Sequence, residues 1–209
     1  MKRGKKSLSV LCVLGVVLVM VGCADYDRRL TSRSVSYLGT DGSMLASPMT
    51  REGRIAESKS YWDGDSSSGA PRIVINVTRQ TASFYKGGHL VGVSAISSGR
   101  DGYDTPSGSY KIIEKKVDHR SNLYGDYVDA SGAVVKQGVS AKTDPVPAGA
   151  HFEGAPMPYW LRLTSGGVGM HQGFLPGIPD SHGCIRLPEK MAKVFFENTS
   201  VGTPVSVVR

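Results

Sequence analysis

The sequence predicts a mostly β fold with mostly antiparallel strands and one helix in its C-terminal region. From Arg72 onward, short segments alternate polar and apolar residues and are rich in β-branched and aromatic side chains, which is the pattern of half-buried strands. The chain also contains 26 glycines, and glycine suits many tight turns because it adopts positive φ angles. Strands this short, joined by turns, indicate packed sheets.

The predicted strands share this alternation and cover residues 73–77, 82–85, 90–99, 108–117, 159–164, 168–173 and 203–208. Lys86-Gly87-Gly88 predicts a hairpin turn between the second and third strands. Ser165-Gly166-Gly167 joins the fifth strand to the sixth. We therefore expect the chain to turn back on itself several times in succession.

The helix is predicted over 188–199, with Pro188 and Glu189 in its first turn. Met191, Val194 and Phe195 fall on one helical face and are expected to pack against the sheets. The excursion 118–157 contains Gly and Pro and links two strands. Connections of this length are commonly functional, and we interpret this one as a capping loop, or lid.

The N-terminus has the pattern of an export signal. A basic stretch, Lys2 to Lys6, precedes an apolar run at 8–22. At about 15 residues this run is shorter than the roughly 20 that a spanning helix needs, so it fits a signal peptide. Cys23 follows in a context that resembles a bacterial lipobox. Met20 stands in place of the usual Leu, which leaves plain cleavage or an uncleaved anchor open as alternatives.

Three segments are predicted: a lipoprotein signal peptide at 1–22, a lipid-anchored flexible tether at 23–71, and a globular domain at 72–209. The tether ends in a polar Gly- and Ser-rich stretch. We expect the protein in the bacterial cell envelope, held by lipid on Cys23. Ala24 is not the Asp that retains many lipoproteins in the inner membrane, which favours the outer membrane.

The charge does not indicate a nucleic-acid-binding protein. The formal net charge is +7, but removing the four basic groups of the signal peptide leaves +3. The remaining basic residues are scattered among acidic ones, whereas a nucleic-acid surface needs a clustered basic patch. We therefore expect no nucleic-acid partner.

The three cysteines have different expected fates. Cys12 is removed with the signal peptide, and Cys23 carries lipid. Cys184 then remains as a single thiol in an exported protein, where cysteines are usually paired or absent. An unpaired thiol in an oxidising compartment suggests a functional role.

His171, His182 and Cys184 lie within 14 residues of one another. A thiolate is a good nucleophile, and a nearby imidazolium lowers the pKa of a thiol. If residues 182–184 form a strand, His182 and Cys184 share a face, and Gly183 leaves amide N–H groups free to bind an oxyanion. The same three side chains also meet the ligand count of a catalytic zinc site, so the residues alone leave both interpretations open.

The segment SHGCIRL, residues 181–187, preceded by a histidine in a glycine-rich strand, resembles the signature of the YkuD-type L,D-transpeptidases of bacterial cell walls. Residues 105–112, 119–132 and 154–163 match as well, so the resemblance extends over 72–209. It implies a β-sandwich with the cysteine at one end of a groove, beside a mobile capping loop.

The resemblance also implies roles for individual residues. Cys184 matches the nucleophile, and His171 matches the general base and acid, oriented by the backbone carbonyl of Gln172. The residues that flank the oxyanion region are Ser181, His182 and Gly183.

The sequence departs from the family pattern in three respects, one of which is a shorter gap from His171 to Ser181. Arg186 replaces a frequent Asn and is open between a structural salt bridge and contact with a substrate carboxylate. Gln172-Gly173 replaces a more usual Gly-Ser or Gly-Thr.

The activity implied is acyl transfer on peptidoglycan stem peptides without metal or cofactor. The thiolate attacks the third stem residue, and an amine of another stem or of a wall-linked protein resolves the thioester. Two alternatives stay open: hydrolysis of the same acyl-enzyme by an L,D-carboxypeptidase or endopeptidase, and non-catalytic binding of wall peptide by a lipoprotein.

Overall fold

The structure, a computed structural model, describes residues 51–209. The predicted signal peptide, the lipidated Cys23 and the first part of the tether lie outside these residues. Within residues 51–209, neither helix is long and apolar enough to cross a membrane.

The described chain forms two helices and thirteen strands. The helices are α1 (Arg51–Glu57) and α2 (Glu189–Glu197). The strands are β1 (Tyr61–Trp62), β2 (Pro71–Asn76), β3 (Thr81–Lys86), β4 (His89–Ala95), β5 (Gly108–Lys111), β6 (Glu114–Lys116), β7 (Arg120–Val128), β8 (Val134–Ser140), β9 (His151–Pro156), β10 (Trp160–Arg162), β11 (Gly169–Gln172), β12 (Ile185–Leu187) and β13 (Pro204–Val208). The predicted mostly β fold is confirmed.

The first sheet has six strands in the order β1-β4-β3-β2-β13-β5. Strand β13 runs parallel to β2 and antiparallel to β5. Every second residue of the central strands is buried, for example Ile73 and Ile75 in β2 and Val205 and Val207 in β13, as the two-residue period of a strand requires. The turn between β3 and β4 contains Gly87 and Gly88 at φ of 55° and 88°, which agrees with the predicted hairpin.

The second sheet has four strands in the order β12-β11-β10-β6. The predicted strand 108–117 is divided between the two sheets at Ile112 and Ile113. The Ile112 amide N–H donates to Thr203 O, beside the first sheet, and the Ile113 N–H donates to Arg162 O in the second. Because successive amides bond to different sheets, the chain steps from one layer to the other here.

The core fills the space between these sheets and α2. Met191, Ala192 and Phe195 of α2 are buried in it, and the Phe195 ring meets Phe84 edge-on at 5.0 Å between centroids. The predicted helix is confirmed, with its first residue directly after Pro188.

The excursion 118–157 contains a three-stranded antiparallel sheet in the order β8-β7-β9, which we call the lid sheet. The sequence predicted a loop here because the strands do not alternate regularly: the pairing of β7 is interrupted by register shifts on both sides. Gly125 permits a close strand crossing, since a Cβ at this position would lie 2.0 Å from Glu153 O.

Part of the predicted tether is folded against the domain. Residues 51–57 form α1, and β1 pairs with β4 through Tyr61↔Val93 and Trp62↔Gly92. The Trp62 ring packs edge-on against Phe84 at 5.1 Å. Partial burial of this indole against the core gives the segment a fixed position that its polar composition did not predict.

Candidate active site

One face of the second sheet forms the wall of a cleft of about 820 Å³. Because side chains alternate along a strand, Trp160 and Arg162 of β10 lie on the cleft face, whereas Leu161 belongs to the core. Strand β11 pairs with β10 through Arg162↔Gly169. A Cβ at Gly169 would lie 2.5 Å from the Trp160 ring, so this glycine allows the indole to lie across the sheet. The lid sheet and the segments beside it form much of the opposite wall.

His171 of β11 is 7% exposed and lines the cleft. Its Nδ1 lies 2.6 Å from the backbone oxygen of Gln172, which is the contact that the resemblance implies. Since a carbonyl only accepts, Nδ1 carries the proton and Nε2 is left as an acceptor. Burial, reinforced by the nearby Arg186 and His119 charges, lowers the pKa of His171 to about 4 despite the opposing bond to Gln172. The imidazole is therefore neutral at pH 7.

Cys184 directly precedes β12, and its Sγ lies 3.5 Å from Gly167 O. Part of the residue faces the cleft, but protein atoms surround the thiol and burial raises its pKa. A hydrogen bond from the Gly169 backbone and the charges of Arg186 and Arg162 oppose this rise. The resting pair is thus a neutral thiol and a neutral imidazole, not the thiolate and imidazolium expected from the sequence, because both groups lose solvation.

Residues 181–184 form a loop ahead of β12, not the strand that would place His182 and Cys184 on one face. Ser181 Oγ donates to Cys184 O at 2.5 Å and accepts from the Gly183 N–H at 3.0 Å. Gly183 has a φ of 111°, which favours glycine. Its carbonyl accepts a hydrogen bond of 2.9 Å from Thr105 Oγ1.

The amides of Gly183 and Cys184 differ in whether they are already hydrogen-bonded. The Gly183 N–H is already bonded to Ser181. Among residues 51–209, the Cys184 N–H has no hydrogen-bond acceptor. The Cys184 amide is therefore a candidate donor to an oxyanion, and the φ of Gly183 sets the shape of the loop beside it.

His182 connects this loop to the lid sheet. Its ring stacks on Tyr124 of β7 with centroids 4.1 Å apart and planes at 17°, and it meets Tyr103 edge-on at 4.8 Å. Its Nε2 lies 2.8 Å from a terminal nitrogen of Arg100, so Nε2 acts as acceptor. Burial, with the Arg100 and Arg186 charges, lowers the pKa of His182 to about 4. Sequence reasoning missed Arg100, Tyr103 and Tyr124, since no motif connects them to the loop.

Arg186 forms a buried ion pair with Asp180. Its Nη1 lies 2.9 Å from Asp180 Oδ2, and both side chains are 6% exposed. Nη2 donates to Asp180 O at 3.2 Å. The sequence left open whether Arg186 forms a structural salt bridge or contacts a substrate carboxylate. The structure shows the salt bridge.

His119 and Trp160 form a further part of the cleft wall, with stacked rings whose centroids are 4.7 Å apart. The indole itself is buried. Within the described part of the chain, no three His, Cys, Asp or Glu side chains converge closely enough to hold a metal ion.

A mostly β domain with a cysteine and a neutral histidine in one cleft defines a candidate thiol acyltransferase or hydrolase. The family model of the YkuD L,D-transpeptidase catalytic domain matches residues 70–207. The chain belongs to this family of enzymes. No curated protein matches the chain.

Solved structures support the fold. An L,D-transpeptidase from Mycobacterium smegmatis is 20% identical, with a TM-score of 0.51, over 67% of this chain and 59% of that chain. L,D-transpeptidase 3 from Mycobacterium tuberculosis is 23% identical, with a TM-score of 0.50, over 67% and 61%. An LD-transpeptidase in complex with imipenem is 22% identical, with a TM-score of 0.50, over 66% and 59%. The matched region thus spans about three-fifths of each of these proteins.

Proposed function

We propose that the protein is a peptidoglycan L,D-transpeptidase in which Cys184 is the nucleophile and His171 the general base and acid. The observation that carries this proposal is the state of His171 in the cleft that Cys184 shares. Nδ1 is held by Gln172 O and the ring is neutral, so Nε2 is ready to take a proton.

In the proposed reaction the Cys184 proton moves to His171 Nε2 as sulfur attacks the carbonyl carbon of the third stem residue. The Cys184 N–H donates to the resulting oxyanion. The C–N bond then breaks, His171 returns the proton to the leaving amine of the terminal D-residue, and a thioester remains. An acceptor amine attacks the thioester, its proton passes to His171, and the thiol is restored.

The deciding experiment uses a purified disaccharide-tetrapeptide and reads the products by mass. A cross-linked dimer with release of the D-residue is expected. A tripeptide alone would assign the hydrolytic alternative, and an unchanged substrate would assign wall-peptide binding without turnover. Cys184→Ala is the control and should give no product.

We further propose that carbapenems acylate Cys184, by analogy with the relative solved with imipenem. Intact-mass measurement should show one adduct, localised to the peptide containing Cys184. An adduct elsewhere would contradict the assignment of the nucleophile.

We propose that the protein is lipid-anchored in the cell envelope through Cys23. The proposal is supported by the basic and apolar segments at 2–6 and 8–22. Mass analysis of the N-terminal peptide should find diacylated Cys23, and Cys23→Ala should leave the membrane fraction. A membrane-bound Cys23→Ala protein would show that another element anchors the chain.

A further inference from the structure

The geometry points to a carboxylate-binding site at Arg162, beside Cys184, for the C-terminal carboxylate of the residue that the reaction expels. This inference rests on the proposed function and adds a donor specificity to it. Arg162 lies on the cleft face of β10, lines the cleft and is 28% exposed.

The charges around Arg162 leave its outer end available to an anion. Arg162 and Glu114 are directly opposite in the β10–β6 pair, and Arg162 Nε lies 2.6 Å from Glu114 Oε2. This contact is an ion pair rather than an aligned hydrogen bond, and it involves Nε, the nitrogen nearest the aliphatic part of the side chain. Among the described residues, no hydrogen-bond acceptor is found for the two terminal nitrogens. A guanidinium with two such nitrogens matches a carboxylate in bidentate geometry.

Glu114 does not neutralise this part of the sheet. Lys116 Nζ also lies 2.6 Å from Glu114, at Oε1, so two cations share one carboxylate. The cluster therefore keeps one net positive charge. The other arginine of the cleft wall, Arg186, already has its carboxylate partner in Asp180. Of the two arginines that line the described cleft, Arg162 is thus the partly exposed one.

Arg162 is also close to the reacting sulfur. It pairs with Gly169 across β10 and β11, and the Gly169 backbone hydrogen-bonds to the Cys184 thiol. The Arg162 charge is near enough to favour the thiolate. An anion bound at Arg162 would therefore lie beside the bond that is broken.

This position fits the end of a peptide that is one residue longer than the acyl group. In such a peptide only one carbon separates the scissile amide nitrogen from the terminal carboxylate. Arg162 would then favour donors whose chain ends directly after the expelled residue. A donor extended by a further residue would place a neutral amide at Arg162.

The first test compares alkylation of Cys184 by iodoacetate and by iodoacetamide. The thiolate displaces iodide from both reagents, but only iodoacetate carries a carboxylate. Arg162→Gln should lower the ratio of the two rates about two- to fivefold, the range expected for one charge pair at a partly exposed site. Arg162→Lys should retain most of the ratio, because it keeps the charge. Changes in the thiol pKa affect both reagents and cancel in the ratio.

Lys116→Gln is the matched control. It removes one positive charge from the same sheet face and the same Glu114, but Lys116 is 51% exposed and outside the cleft lining. Its rate ratio should fall less than that of Arg162→Gln, because Glu114 then has Arg162 as its one cation partner in the cluster but the terminal nitrogens of Arg162 remain in the cleft. An unchanged ratio in Arg162→Gln, or an equal fall in Lys116→Gln, would overturn the site at Arg162.

The second test uses the tetrapeptide donor with either a free C-terminal carboxylate or a C-terminal amide. Arg162→Gln should raise KM for the carboxylate donor and leave the amide donor nearly unchanged. If Arg162→Gln is active and prefers the carboxylate donor over the amide donor as strongly as the wild type does, the inference is refuted while the proposed function stands. If Arg162→Gln shifts the alkylation ratio but the wild-type protein turns over neither donor, the proposed function is refuted and the anion site stands.

Discussion

At the scale of single residues, two departures from the family pattern are physically connected. A Cβ on Gly173 would lie 3.0 to 3.2 Å from the Cβ, Cγ and Cδ of Arg186. The large side chain at 186, where Asn is frequent, therefore occupies the space that Ser or Thr would need at 173. The sequence shows both substitutions but not their contact, because residues 13 apart meet only through the pairing of β11 and β12.

We expect Gly173→Ser to destabilise the protein by about 1 to 3 kcal/mol, since it overpacks a buried contact. The same change in an Arg186→Asn background should cost less, because the shorter side chain vacates the space. Free energies of unfolding for the four proteins of this double-mutant cycle measure the coupling. Equal costs in both backgrounds would show that the two positions are independent.

The reactive pair provides a second prediction at this scale. Because burial raises the pKa of Cys184, the rate of thiol alkylation should rise with a midpoint above the ordinary thiol value of about 8.5. His171→Ala should leave that midpoint high, since a histidine with a pKa of about 4 supplies no imidazolium at pH 7. It should nevertheless slow acylation by roughly 10²- to 10⁴-fold, as loss of a general base does.

His182→Ala is the comparison variant. We expect it to slow acylation less, because the His182 ring bonds Arg100 and stacks on Tyr124. The measurement is the alkylation rate of Cys184 against pH in all three proteins. A wild-type midpoint below 7 that rises in His171→Ala would instead establish a resting ion pair.

At the scale of secondary-structure elements, strand prediction succeeded where alternation and a buried face coincide, as in β2, β3 and β13. It failed for β12, whose three residues Ile185–Leu187 are all buried and show no alternation. It also failed for β5 and β6, because a continuous apolar pattern through Ile112 and Ile113 hides the change of sheet.

Helix α1 illustrates an element fixed by tertiary contacts. Gly177 has a φ of 89°, and a Cβ there would lie 2.8 Å from Glu52 Cβ and 2.9 Å from the Glu52 carbonyl carbon. Glu57, at the other end of α1, lines the cleft, so the position of this helix affects the site. Nothing in the polar sequence of α1 indicates this docking.

We expect Gly177→Ala to displace α1 and to accelerate proteolysis within residues 51–60, because the added methyl group meets the helix backbone. Gly202→Ala is a matched control: its φ is 96°, but no atom lies within 4 Å of the added Cβ. Both substitutions pay the cost of a positive φ, and only Gly177→Ala has the clash. Similar cleavage rates in the two variants would contradict the docking of α1.

At the scale of the whole molecule, the sequence predicted the catalytic motif better than the environment that surrounds it. Cys184 and His171 were singled out because the segment 181–187 and the histidine ahead of it resemble the family signature, and both residues line the cleft. Their charge states were not predicted, since desolvation depends on Trp160, the lid sheet and other groups distant in sequence.

The domain should lose stability in acid because His171 is buried in its neutral form. The pKa of His171 falls from an ordinary value of 6.5 to about 4 on folding, so the unfolded chain binds a proton that the folded chain excludes. The stability contributed by the neutral imidazole is complete above pH 6.5 and is lost as the pH falls towards 4. For this nearly buried ring the loss is on the order of 3 kcal/mol. The lowered pKa of His182 acts in the same direction.

His171→Asn should reduce this acid sensitivity, because it removes the titrating group while an amide can still donate to Gln172 O. Between pH 4 and 7 the unfolding free energy should depend less steeply on pH than in the wild type. The difference in slope should correspond to about one fewer proton taken up on unfolding. His89→Asn, at an exposed position, is the control and should keep the wild-type slope. If His171→Asn leaves the slope unchanged, the proton taken up on unfolding in this range belongs to another group, and His171 is not held neutral by the fold.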